Sequence, residues 1–144
     1  MSTAEPMAYD LDRFLLAQQG VYEGVLAELR RGRKTGHWMW FIFPQVAGLG
    51  YSEMSRRFAI ASLAEARAYL DHAVLGARLR ESARLVLDIR GATAVEIFGS
   101  IDAMKLRSCM TLFHRARSDE PVFAQVLARF YDGAADETTD TLLA

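Results

Sequence analysis

Apolar positions recur at steps of three and four along most of the chain, the spacing of helices that bury one face. From Asp10 onward, Leu11, Phe14, Leu15 and Gln18 share one face before Gly20, and Val21, Val25, Leu26 and Leu29 form a second stripe. That stripe ends in Arg30-Arg31-Gly32-Arg33-Lys34, where cations suit the negative end of a helix dipole and Gly32 supplies a stop. Ser52 predicts the cap of a short helix over Glu53 to Ile60. Ser62-Leu63-Ala64-Glu65 reads as a capping box that opens a helix at Leu63, interrupted at Asp71-His72 or Gly76. Leu75, Leu79, Ser82, Val86 and Ile89 describe a long helix closing at Gly91.

The rest of the chain continues in the same way. Thr93-Ala94-Val95-Glu96 is a second capping box, for a turn of helix that stops at Gly99. Ser100 is placed to cap the next helix, Ile101 to about Arg117, and Pro121 opens the last firm one, with Phe123, Val126, Leu127 and Phe130 inward. Strand alternation is absent, and no repeat or linker divides the chain. The expectation is an all-α, compact single-domain bundle of about six to eight helices over 1–144, with 1–8 and 134–144 loosely ordered.

One stretch departs from helical spacing: His37-Trp38-Met39-Trp40-Phe41-Ile42-Phe43-Pro44-Gln45. It holds both tryptophans, and six consecutive apolar residues stand between a histidine and a Pro-Gln turn. The run is too short for a free-standing helix and too apolar for a surface loop. It is buried, or it lines something.

Composition narrows the function classes. The chain has 144 residues, 51% hydrophobic and 24% charged, which is ordinary for a globular domain with a sizeable core. A formal net charge of −1 removes any global attraction for nucleic acid or anionic membrane. The single cysteine, Cys109, forbids an internal disulfide and fits a reducing compartment. The first eight residues lack a basic start followed by an apolar core, and no run approaches a membrane span. A cytoplasmic protein is expected. His37, His72 and His114 share no ligand spacing with one another or with Cys109, so neither metal nor cofactor is expected.

Candidate chemistry centres on the helix from Ile101. At about 100° per residue, Leu106, Cys109, Met110, Leu112, Phe113 and Ala116 fall on one arc. Asp102 and Lys105 fall inside that arc, three apart, so their side chains can meet. An ion pair on an apolar face is seldom a stabilising device, which suggests a pocket; the plainer reading is an acid at a helix start and a snorkelling lysine. Ser108 and Thr111 either extend that polar site or belong to a solvated face. The loop Gly48-Leu49-Gly50-Tyr51-Ser52 before Arg56 and Arg57 offers free N–H groups and a guanidinium to an anion, or serves as an ordinary turn. Trp38 and Trp40 either wall a ligand or fill the core, and His37 either contacts a ligand or sits at a helix entry. Arg30 to Lys34 reads as a solvated helix end rather than a nucleic-acid patch.

The aromatic stretch, Ser62-Leu63 to Tyr69-Leu70, Leu75-Gly76, Ile97-Phe98-Gly99 and Asp102 through Phe113 together resemble a bacterial family of unknown function whose members are often labelled calpastatin. The resemblance covers nearly the whole chain and implies an all-α single domain with no established activity. Nothing in the chain resembles the disordered inhibitor repeat that the label refers to. In order of features only, the chain is also similar to the NADAR (NAD- and ADP-ribose-associated) family. An aromatic first motif precedes a Glu-Ala helix segment, here Glu65-Ala66, and a late Asp-x-x-Lys helix, here Asp102 to Lys105. That likeness implies a ligand of the ADP-ribose type; the Glu-His pair of the first motif is missing, since His37 has no glutamate neighbour.

Two functions follow. One is a pocket for a phosphorylated or ADP-ribose/nucleotide-like molecule, catalytic or not, with Asp102, Lys105 and His37 at its centre. Trp38, Trp40, Arg56, Arg57, Ser108 and Thr111 would then bind the ligand. The alternative is a non-enzymatic interaction module presenting the Trp38–Pro44 aromatics outward. Oligomeric state is not legible from these residues.

Overall fold

The computed structural model describes residues 9–144, so the leader reading and the expected looseness of 1–8 lie outside the described residues. The described chain is all-α. Its helices are α1 (Asp12–Gln18), α2 (Tyr22–Arg31), α3 (Met39–Ile42), α4 (Glu53–Arg57) and α5 (Leu63–Asp71) in the first half. The second half holds α6 (Leu75–Asp88), α7 (Ala94–Phe98), α8 (Ser100–Ala116), α9 (Pro121–Tyr131) and α10 (Glu137–Leu143). That is ten among the described residues, more than the periodicity suggests, because α3, α4 and α7 are turns of four or five residues. No described helix is long and apolar enough to cross a membrane.

The longest helix, α8, is the axis of the packing, and α5, α7, α9 and α10 lie against it. Its predicted arc is the buried one: Leu106, Cys109, Met110, Leu112, Phe113 and Ala116 are all in the core. Phe113 touches Tyr69 of α5 at 5.5 Å and Phe123 of α9 at 5.9 Å between ring centroids. Tyr69 in turn meets Phe14 of α1 edge-on at 5.0 Å, so one relay of rings ties the first helix to the ninth. Each such ring contributes about 1.5–3 kcal/mol on burial, and edge-on contacts add to that. Where α5 turns into α6 the backbones nearly touch: a Cβ on Gly76 would stand 2.1 Å from the Leu70 carbonyl oxygen, so only glycine fits.

The capping signals hold where the side chain has no better partner. Thr93 and Glu96 form the full reciprocal box. Ser62 accepts from the Glu65 amide, but the Glu65 carboxylate reaches past it, to the Ala61 amide at 2.7 Å and to Arg13 at 3.1 Å. Gly32 closes α2 at φ 77°.

Several expectations change. Val21 stands 41% exposed outside its stripe, because α2 begins one residue later and turns it outward. α4 ends at Arg57 rather than Ile60; Ile60 is drawn into an isolated parallel bridge with Val46, its amide donating to the Gln45 carbonyl at 2.9 Å. Ser100 is the first residue of α8 and caps nothing; Gly99 holds the cap position without a side chain. The tail forms α10, its first turn capped by Asp136, which accepts from the Thr139 amide.

Candidate functional site

The aromatic stretch divides between core and cleft. Trp38, Met39, Phe41, Ile42 and Phe43 are buried, with the single turn of α3 swinging them inward. The alternative of an outward aromatic docking surface therefore fails: these side chains make the core under α1 and α2. Trp38 is fixed by Glu28, whose Oε1 accepts from the Trp38 indole Nε1 at 3.0 Å and from the amides of Thr35 and Gly36 at 2.6 and 2.9 Å. Burial pushes the Glu28 carboxyl up, but these donors outweigh it and hold the group below the usual glutamate range. One carboxylate thus clamps the turn that presents His37 to solvent.

Trp40 behaves differently. It is half-buried, and the ammonium of Lys105 sits 5.0 Å from its ring centroid. Its indole Nε1 is enclosed and has no hydrogen-bond partner, the kind of orphaned donor that native structures seldom leave.

Asp102 and Lys105 do meet, across the first turn of α8, but at 3.8 Å. The tighter partner of Asp102 is Lys34, at 2.8 Å to the other carboxylate oxygen. Lys34 was expected in solvent with the rest of the basic run. Instead its side chain is 7% exposed, with Nζ donating to the Gly36 carbonyl and lying 5.0 Å over the Trp38 ring. Two ammonium groups therefore share one carboxylate, and Lys105, 24% exposed, holds the weaker share.

Three adjoining cavities surround this cluster. The first, about 310 Å³, is lined by Lys34, His37, Trp40, Ile101 and Asp102 among others. The second, about 440 Å³, is lined by Gln45, Leu49, Ile101, Met104, Lys105, Ser108 and Asp136 among others, with the Asp136 carboxylate held by Ser108. The third, about 160 Å³, runs under Trp40 along Gly48 and Gly50 to Ser55 and Arg56. Trp40 is common to the first and third, Ile101 to the first and second, and Gln45, Leu49, Gly50 and Ser55 to the second and third. The result is one three-lobed cleft, with Trp40 between the first and third lobes and Lys105 on the wall of the second, its ammonium against the Trp40 ring. Its volume is in the range of small-molecule sites.

Of the candidate residues, this cleft gathers Asp102, Lys105, His37, Trp40, Arg56 and Ser108. Trp38 instead lines a separate groove with Gly20, Gly24 and Glu28, which His37 also borders. Arg57 turns away, its guanidinium 5.3 Å over the Phe58 ring. Thr111 is fully buried, donating to the Arg107 carbonyl at 2.8 Å and accepting from the Asp136 amide at 2.9 Å. The reading of Ser108 and Thr111 as a solvated face also fails. Residues 134–136 cover both, with Arg107 donating to the carbonyls of Ala134 and Ala135 and Ser108 donating to Asp136.

The glycine loop has a local reason: a Cβ on Gly50 would fall 2.5 Å from Ser55 Oγ, so its closeness serves the turn. α4 adds little of its own, since five residues carry a weak dipole and Ser52 already accepts from the Ser55 amide. Among the described residues, no group of three or more His, Cys, Asp or Glu side chains could hold a metal ion. Cys109 is fully buried and its thiol is pushed well up by desolvation, which leaves it inert.

Residue-level reading of the sequence missed Lys34, Glu28 and Gln45. Glu28 had a signal, an acid standing on α2 just before the turn. Lys34 had none, because its partner lies on another helix.

The family described as protein of unknown function (DUF1810) matches residues 8–143. Among solved structures, the chain is similar to the conserved hypothetical protein Rv1873 from Mycobacterium tuberculosis. The two are 51% identical, the match covers 94% of this chain and 96% of that one, and the TM-score is 0.93. Both descriptions stop at unknown function, and neither bears the calpastatin or NADAR name. No curated protein matches the chain.

Proposed function

We propose, for a chain that belongs to the DUF1810 family of proteins of unknown function, that the cleft at Trp40 binds a small phosphorylated molecule of the nucleotide or ADP-ribose class. One observation carries the reading. Lys105 is a partly buried ammonium whose carboxylate partner stands 3.8 Å away and is already taken by Lys34 at 2.8 Å. A cation left in surplus inside a cleft attracts an anion, and it does so more strongly as the ligand displaces water. Arg56 adds a second positive group from the neighbouring lobe.

Asp102, Lys105 and His37 are the groups that would move a proton on such a ligand, since all three stand on the cleft wall. The feature-order resemblance to NADAR proteins, a name that neither comparison bears, is the reason to include ADP-ribose and NAD among the probes and does not extend to cleavage of an N-glycosidic bond. Glu65, the acid of the Glu-Ala segment, is spent on Arg13 and the Ala61 amide and stays buried away from the cleft.

The test is a thermal-shift screen with ADP-ribose, NAD, nucleotides and inorganic phosphate. A ligand present at a hundredfold over its dissociation constant adds about 2.7 kcal/mol to the native state. At least one phosphorylated compound should raise the midpoint by several degrees, and Lys105→Ala should remove that rise. A flat response to every compound, or a variant that responds like the wild type, would sink the proposal.

A further inference from the structure

Four residues of α8 face the largest lobe of the cleft: Ile101, Met104, Lys105 and Ser108. Counted from the first, they stand at i, i+3, i+4 and i+7, which is one stripe along one helix face. Ser108 is committed, its one hydroxyl proton shared between the Met104 carbonyl and the Asp136 carboxylate, each 3.1 Å away. Lys105 supplies the charge. The first two residues are the anomaly, because Ile101 and Met104 are each 70% exposed on a helix whose other large apolar side chains are buried.

A lone exposed isoleucine is ordinary surface. Two large apolar side chains one turn apart, on the wall of a cleft and beside a surplus ammonium, make a composed surface: a pad next to a cation. The face of Trp40 is already covered by the Lys105 ammonium, so a ring entering the cleft finds its apolar contact on this pad. Methionine suits that task, since its flexible thioether packs well against flat rings. A phosphate bound at Lys105 without a ring attached would leave the pad in water and set sugar hydroxyls against hydrocarbon.

Resting on the anion-binding reading above, we infer that the ligand carries a flat, weakly polar ring joined to its phosphate, as a nucleoside monophosphate does, and that Ile101 and Met104 receive the ring. The two residues then set specificity, while Lys105 sets affinity for the charged end. Sugar phosphates lacking a base are discriminated against at the pad.

The test compares AMP with ribose 5-phosphate by titration calorimetry on the full chain, because the two differ in the base and share the phosphate and the sugar. AMP should bind at least tenfold tighter. The double substitution I101S/M104S changes only exposed positions, and an unchanged melting profile verifies its fold. It should weaken AMP at least fivefold and leave ribose 5-phosphate within twofold, whereas Lys105→Ala should lose both. Equal affinities in the wild type, or a double variant that weakens both ligands alike, overturn the inference and leave the anion-binding reading standing. A double variant that alters only the oligomeric state makes the pad a protein interface and overturns it as well. Binding of neither compound overturns the inference, and the anion-binding reading falls with it only where ADP-ribose, NAD and inorganic phosphate also leave the melting midpoint unmoved.

Discussion

Glu28 shapes the cleft without lining it, because it fixes the turn from which His37 projects. Its single oxygen Oε1 gathers three donors, from Thr35, Gly36 and Trp38. Glu28→Ala would leave the indole donor of Trp38 unpaired in the core and release two backbone amides. We expect a loss of about 2–3 kcal/mol in chemical denaturation, with tryptophan emission shifted to the red as Trp38 loosens. A variant within about 0.5 kcal/mol of wild type would mean that the turn holds itself, as surface positions do. Lys34 shows the limit of reading single residues. In the sequence it is the last cation of a basic run at a helix end, and nothing local marks it as the one that folds inward. Its place is decided by Asp102, a helix away in space and far along the chain. Asp102 and Lys105, by contrast, were legible as a pair, because helical spacing alone brings residues three apart together.

Elements were legible where their ends are written in local chemistry. Thr93 and Glu96, Ser62, Gly32 and Pro121 each fix a helix end through a hydrogen bond or a dihedral angle set within a few residues. α10 was not legible. Its sequence, Glu-Thr-Thr-Asp-Thr-Leu-Leu, carries no apolar stripe, and it is held to α8 largely by polar contacts that only the tertiary fold supplies. The firmest is the two-pronged pair of Arg115 with Asp140, at 2.8 and 2.9 Å. The hydrogen bond from Arg115 holds the Asp140 carboxyl below its ordinary value of 3.8. A depressed carboxylate contributes its stability above the unfolded value and loses it as pH falls through the folded one. The loss therefore begins near pH 4, at the ordinary value, and grows below it. Both side chains are partly solvated, so the effect belongs to α10 and is weakened by salt. Amide exchange in α10 should rise below pH 4 before the other helices open, and Arg115→Ala should produce the same pattern at neutral pH. Exchange in α10 that tracks global unfolding at every pH would contradict this.

At the scale of the whole molecule, the cleft lies where three separately built pieces meet. The aromatic turn supplies Trp40, the loop before α4 supplies Gly48 to Ser55, and the exposed side of α8 supplies Ile101, Met104 and Lys105. The core beneath them is one relay of rings from Phe14 to Phe123, so the walls stand on a rigid base. The aromatic stretch first reads as a hydrophobic anomaly. In the fold it splits, with Trp38 anchored to Glu28 in the core and Trp40 between two lobes of the cleft beside Lys105. The two indole N–H groups of the chain therefore report on different places, and a nitrogen–proton correlation spectrum resolves both. Titration with ADP-ribose, with Trp40→Phe used to assign the signals, tests the central claim most directly. The Trp40 indole signal should move and saturate while that of Trp38 stays in place, and Lys105→Ala should hold both still. If both signals stay fixed in wild type under excess ligand, or Trp38 moves and Trp40 does not, the cleft at Trp40 is not the binding site.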